Sequence, residues 1–287
     1  MKFRERILDA FLSTYRKPVL NDSAESSASC AENIPRKIGD SIHALKKAAI
    51  FNEVGVDYNA LKISRQYQEI RQNVTVCLRR FDLSNLKTWE EKLAFWINLY
   101  NLLTIDAVIQ FDVKTSVTEG WLGVMRFFRL AAYNINGNRY SLEDIEHGIL
   151  RANNGSIYFP GRHFSHNDPR SRYVIADLDP RIHFALNCAS QSCPPVAFYE
   201  PEKIDKQLDQ AAANFINAET VMDVSGVMLR VSRIFKWYEK DFGEKRGVLE
   251  TLLHYLPEND PRTILLENFG YKAMITYSKY DWELNAL

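Results

Sequence analysis

Cysteine is scarce in this chain. Four in 287 residues are too few for a disulfide scaffold, and in a reducing compartment they are expected as thiols. Neither charge sign is in excess, because Lys+Arg and Asp+Glu both number 36 and the net charge is zero. That balance supplies no global basic field for nucleic acid or for an anionic membrane. No glycine-rich phosphate loop follows an expected strand, and repeats and low-complexity tracts are missing. These absences argue against a nucleotide-binding doubly wound sheet. No apolar run spans a bilayer uninterrupted: the longest, Leu93 to Phe111, is broken by Asn98, Asn101, Thr104, Asp106 and Gln110. The opening Met1-Lys-Phe-Arg-Glu-Arg-Ile-Leu-Asp-Ala places acidic residues where a signal peptide has its apolar core, so a cytoplasmic location is expected.

What is present is enough apolar material for a sizeable core: 46% hydrophobic and 12% aromatic residues. Residues 1–34 read as an amphipathic helix (Phe3, Ile7, Leu8, Phe11, Leu12) followed by a small, polar, flexible linker, and residues 35–287 as the domain. Thr88-Trp-Glu-Glu91 is a capping box, and the helix it opens, Trp89 to about Gln110, is apolar on all sides and so central. Asn136-Gly137 marks a hairpin over 133–140, after which Ser141 to Asp144 caps a helix reaching about Arg151. Tyr173 to Leu178 reads as a strand. Pro201 starts a helix to about Ala218. Val227 to Val231 is a strand, Ile234 to Phe242 a helix ended by Gly243, Gly247 to Leu256 a helix, and Ala273 to Tyr277 a closing strand. The expected fold is α+β: a mostly helical single domain around a small, largely antiparallel sheet, with an N-terminal helical extension.

The segment Arg181-Ile-His-Phe-Ala-Leu-Asn-Cys-Ala-Ser-Gln-Ser-Cys-Pro-Pro195 carries the densest chemistry. Its first half reads as a buried strand, with Ile182, Phe184, Leu186 and Cys188 on one face and His183 and Asn187 on the other. Pro194 and Pro195 stop any regular continuation. A thiol at the end of such a segment, near an imidazole, suits thiolate chemistry or metal binding. On the Ser141–Arg151 helix, Glu143, Glu146, His147, Leu150 and Arg151 share a face. Cys77 reads as core, Cys30 as an idle linker residue, and His163 and His166 as solvated loop histidines.

Lys92-Leu-Ala-Phe-Trp-Ile-Asn-Leu-Tyr-Asn101, Tyr140-Ser-Leu-Glu-Asp-Ile-Glu-His-Gly-Ile-Leu-Arg151, Asp179-Pro-Arg-Ile-His-Phe-Ala-Leu-Asn-Cys188, Ser192-Cys-Pro194, Trp237-Tyr-Glu-Lys-Asp-Phe-Gly243 and Tyr280-Asp-Trp-Glu-Leu-Asn285 stand in this order. Together they resemble the family called domain of unknown function 547, from about Val54 to Asn285. The resemblance carries no defined activity. Fusions of that family to glutaredoxin-like domains would suit thiol chemistry.

Three readings follow. The first is a cysteine-dependent hydrolase or acyl transferase acting on a small molecule or peptide. Cys193 is its nucleophile, His183 or His147 its imidazole, Glu146 or Asn187 its orienter, and Asn98 or Asn101 its oxyanion support. A disulfide-based redox pair of Cys188 and Cys193 is a variant. The second is a Cys₂His₂ metal set of Cys188, Cys193, His183 and His147, although the spacing is not zinc-like and no cofactor is otherwise called for. The third is a non-catalytic interaction module that meets a protein partner through residues 1–20, in which Asn98, Asn101, Asn187, His183, Glu146 and Arg151 are structural. A pocket is expected between the Trp89–Gln110 helix, the Ser141–Arg151 helix and the end of the His183 segment.

Overall fold

The computed structural model describes residues 19–22, 30, 33–48, 55–119, 123–157, 159, 161–223 and 227–287. The amphipathic helix expected over residues 1–20 lies almost wholly outside them.

The architecture is α+β and mostly helical, with one two-stranded and one three-stranded sheet. Its centre is the Trp89–Gln110 helix. Thr88 Oγ1 accepts the Glu91 N–H while the Glu91 carboxylate accepts the Thr88 N–H, which closes the expected capping box. Every residue from Leu93 to Ile109 is buried. The helix is long and apolar enough to cross a membrane, yet 94% of its apolar window is covered by the rest of the protein. One layer over it is the Ile34–Ala48 helix, which buries Ile34, Ile38, Ile42 and Leu45 at helical spacing.

A helix buried on all sides must find partners for its polar side chains. Asn98 donates to the Tyr199 carbonyl at 2.7 Å and accepts the Tyr199 N–H at 3.0 Å. Asn101 donates to the Ala185 carbonyl and accepts the Asn187 N–H, at 3.0 and 2.9 Å. Each amide thus acts like one rung of a sheet for backbone that has no strand beside it. Asp106 is held by the hydroxyls of Tyr67 and Tyr133 at 2.6 and 2.8 Å, with Arg71 at 3.7 Å.

β1 (Ala132–Ile135) and β2 (Asn138–Ser141) form the expected hairpin, with Asn136 and Gly137 at φ 47° and 79°. Ser141 then caps the next helix: its hydroxyl accepts the Asp144 N–H, and the Asp144 carboxylate accepts the Ser141 N–H. That helix, Asp144–Leu150, is wound wide in π fashion and is buried throughout. β3 (Val221–Met222) pairs antiparallel with β4 (Met228–Val231), and β5 (Met274–Tyr277) adds to β4 in parallel. The helix expected from Ile234 to Phe242 stops at Trp237, and Gly243, at φ 88°, leads into the Glu244–Tyr255 helix.

Two expected strands do not form. Residues 181–188 begin within the short helical turn Pro180–Phe184, and residues 174–178 are irregular chain following the turn Pro169–Tyr173. The cause is Asp-Pro-Arg, which occurs at 168–170, 179–181 and 260–262. Each time the aspartate accepts the arginine N–H two residues on, proline takes the first helical position, and the guanidinium folds back onto the same carboxylate. The alternation of Ile182, Phe184 and Leu186 misleads because residues 182–187 are buried on every side.

The linker also differs from expectation where it is described. Asn21 is buried, bonded to the Thr75 and Asn134 carbonyls and to the Asn134 N–H. Cys30 is disulfide-bonded to Cys77, with Cα atoms 5.3 Å apart, so neither is the idle or plain core thiol expected.

Asn98→Ala strands the Tyr199 N–H and carbonyl. Each stranded group is expected to cost about 1–3 kcal/mol of stability. Equilibrium urea unfolding should show this loss, while Asn214→Ala, on an exposed face, leaves the midpoint nearly unchanged.

Candidate functional site

Two apolar clusters make up the interior. One surrounds the Trp89–Gln110 helix. The other lies beneath the Ile204–Glu219 and Glu244–Tyr255 helices. A cavity of about 100 Å³ opens at their seam, lined by Tyr100, Glu143, Glu146, His147, His183, Cys188, Cys193, Trp237, Tyr238, Tyr280 and Trp282, among others. The structure therefore gathers Cys193, His183, His147, Glu146 and Cys188 into one hollow. Asn98, Asn101 and Arg151 do not line it. Both asparagines are committed to backbone, and so is Asn187, which donates to the Pro194 carbonyl at 2.6 Å and accepts the Ala189 N–H. The oxyanion role expected of Asn98 and Asn101 is thus not served by their position.

One carboxylate organises the floor. Asp241 accepts from Arg151 Nε at 2.5 Å and Nη2 at 2.9 Å, and from His183 Nε2 at 2.9 Å. Burial pushes its pKa up, but the bonds to His183 and Arg151 outweigh this and hold it at about 2. An ionised carboxylate only accepts, so Nε2 of His183 carries the proton and Nδ1 keeps its lone pair. Burial lowers the pKa of His183 although Asp241 pulls the other way, leaving a neutral imidazole at neutral pH. Its ring stacks on Tyr238 with centroids 3.8 Å apart.

His147 is set differently. Arg151 Nη1 lies 3.0 Å from its Nδ1, and a guanidinium only donates, so the neutral ring has its proton on Nε2. Burial, then the nearby Arg151, holds the His147 pKa well below the usual value. Glu146 accepts from the Tyr238 hydroxyl at 2.5 Å on one oxygen and from the Tyr100 hydroxyl at 3.0 Å on the other. Burial, reinforced by Glu146 itself, raises both tyrosine pKa values, so the hydroxyls stay protonated as donors. Glu146 is therefore not the orienter of either histidine, and neither is Asn187. Asp241 orients His183. His163 departs from the solvated state expected of it: it sits 2.8 Å from Asp144, which Arg170 also holds at 3.0 Å.

The cysteines are paired rather than free thiols. Cys188 and Cys193 form a disulfide with Cα atoms 6.1 Å apart. Both are half-buried. The Cys188 N–H donates to Cys193 Sγ at 2.9 Å, and the Tyr280 hydroxyl lies 3.2 Å from each sulfur. No Cys₂His₂ metal set is assembled, because the two sulfurs are bonded to each other. Among the described residues no group of three or more His, Cys, Asp or Glu is placed to hold a metal ion.

Sequence reasoning missed Tyr100, Tyr238, Asp241 and Tyr280. A signal existed for all four: Tyr100 lies within Lys92-Leu-Ala-Phe-Trp-Ile-Asn-Leu-Tyr-Asn101, Tyr238 and Asp241 lie within Trp237-Tyr-Glu-Lys-Asp-Phe-Gly243, and Tyr280 opens Tyr280-Asp-Trp-Glu-Leu-Asn285.

Residues 83–216 match the family model described as protein of unknown function, DUF547. Neither the curated proteins nor the solved structures contain a match. Tyr238, Asp241, Tyr280 and Trp282 lie beyond the matched residues.

Stability should fall in acid in two windows. Unfolded histidine titrates near 6.5, above the lowered values of His147 and His183, so the unfolded chain binds protons first and stability declines as pH drops below about 6.5. Asp241 works from its depressed side. Its contribution is present above the unfolded value of 3.8 and lost as pH falls toward about 2. Urea midpoints across a pH series should show both limbs, with His147→Gln flattening the upper one. Asp241→Ala, by leaving Arg151 and His183 without their shared partner, should cost about 3–5 kcal/mol.

Proposed function

We propose that this protein, whose residues 83–216 match the DUF547 model, is a cysteine-dependent acyl-transfer or hydrolytic enzyme, with Cys193 as nucleophile and His183 as base. The observation that carries this reading is the bond from the Cys188 N–H to Cys193 Sγ. Once the disulfide is opened, that donor favours the thiolate of Cys193 over that of Cys188, while the Tyr280 hydroxyl, 3.2 Å from each sulfur, serves both alike. His183 is a neutral imidazole whose Nε2 is held by a buried carboxylate, which leaves Nδ1 to take the thiol proton. Asp241 plays the orienting part that a third residue plays in nucleophile–base systems. The thiolate attacks the substrate carbonyl, the leaving amine or alcohol takes the proton from His183, and water or another acceptor then cleaves the thioester. In a reducing cytoplasm, the location expected from the sequence, the pair is open and Cys193 is available.

A second reading has its own support, since the two sulfurs are joined at the cavity wall: the pair itself exchanges disulfides with a substrate. One panel separates the two. After mild reduction, limiting iodoacetamide followed by peptide mapping should label Cys193 faster than Cys188, with a midpoint below the ordinary thiol value of about 8.5. Reduced protein should turn over activated esters or thioesters. Cys188→Ser should retain that turnover without added reductant, and Cys193→Ser should abolish it. If Cys193 labels no faster than Cys188, the nucleophile assignment is wrong. Loss of all turnover in Cys188→Ser, with disulfide reduction by the parent chain, would favour exchange.

A further inference from the structure

We infer that the cavity recognises its substrate through a protonated amine seated on Glu146. This deepens the function proposed above, naming the chemistry that the same hollow selects.

The argument begins with a count of charge. Five charged side chains line or back the cavity: Arg129, Arg151, Glu143, Glu146 and Asp241. Arg129 lies 2.6 Å from Glu143, and Arg151 is held by Asp241. Those two pairs cancel. The third carboxylate, Glu146, forms no salt bridge with a lysine or arginine among the described residues. Its basic neighbour is His147, 3.8 Å away and neutral. Its two donors are tyrosine hydroxyls, which stabilise the charge without cancelling it. One negative charge is left over at the cavity wall: Arg151 feels Glu146 but gives its hydrogen bonds to Asp241, His147 and the Gly155 carbonyl. An incoming cation would meet that carboxylate through a charge-assisted hydrogen bond.

The walls agree with that ligand. Trp237, Tyr280 and Trp282 pack against one another, with centroid separations of 4.7, 5.6 and 4.6 Å, and all three line the cavity with Tyr238. Aromatic faces around a carboxylate suit an alkylammonium group, which gains from both. They suit an anion poorly, because the ring faces and Glu146 carry the same sign of potential. The cavity of about 100 Å³ has room for several water molecules, which matches a short aminoalkyl arm. The two sulfurs line the same hollow, so an amine anchored on Glu146 is held within the compartment that contains them.

The test uses the full chain as purified, with its disulfide intact, so that no thiol chemistry enters. The probe is n-butylammonium chloride, followed by calorimetry and by the fluorescence of Trp237 and Trp282. The neutral isostere n-butanol and the anion butyrate are the comparators. n-Butylammonium should bind about tenfold or more tightly than n-butanol, as one charge-assisted bond implies, and butyrate should not bind. Glu146→Gln, which keeps the shape, should abolish the preference for the ammonium. The comparison among the three probes in the parent chain needs no variant and stands if Glu146→Gln fails to fold. Equal binding of ammonium and butanol, or any preference for butyrate, overturns the inference. Ammonium binding without a reactive Cys193 would remove the acyl-transfer reading alone. A reactive Cys193 without ammonium preference would remove this inference alone.

Discussion

The Asp241 carboxylate is the tie on which the cavity depends. It draws together Arg151 from the end of the wide helix and His183 from the Pro180–Phe184 turn, and it does so from the turn that follows the Ile234–Trp237 helix. Two apolar clusters packed separately would leave a seam with no fixed geometry. A bidentate guanidinium and an imidazole on one buried carboxylate fix it, because each bond is directional and none can be exchanged for water. The tautomers of both histidines follow from this arrangement: Asp241 sets one directly, and the arginine it holds sets the other.

Around that tie the polar groups divide by task. Asn98, Asn101 and Asn187 satisfy backbone, and in doing so they replace the sheet that the segment over 181–188 does not form. Tyr100 and Tyr238 hold Glu146. Arg170 and His163 hold Asp144, which caps its own helix. Among the polar side chains that line the hollow are Glu146, His183, His147 and the two sulfurs. The acyl-transfer reading and the amine reading use different members of this set, so they stand or fall on different atoms.

Much of this was legible in the sequence where the signal is local. The capping box at Thr88, the Asn136-Gly137 turn and the Ser141 cap each depend on residues within four positions, and each formed as expected. The crowding of Cys188, Cys193, His183, His147 and Glu146 around one hollow was also expected, since they lie on segments flanking the central helix. The misread strands show the limit. Alternation of Ile182, Phe184 and Leu186 describes burial on one face only when the other face meets water, and here neither does. Proline behind the capping Asp179 starts a helical turn at the point where the alternation suggests a strand. Asp241 and Tyr280 stand in motifs quoted above, yet their roles escaped because their partners lie 58 and 87 residues away in sequence.

The far placement of Tyr280 has a temporal consequence. After β5 runs parallel to β4, the chain crosses back over earlier segments, bridging Ser190 through Leu284, Ser116 through Glu283 and Val56 through Ala286. As the chain leaves the ribosome in order, both sulfurs emerge well before the hydroxyl that sits against them and the lacing that closes their wall. For that interval the pair is an open dithiol on an unfinished surface, free to meet whatever oxidant or stray cysteine is at hand. The segment over 280–286, arriving after both sulfurs, is therefore the one that seals the chemistry in.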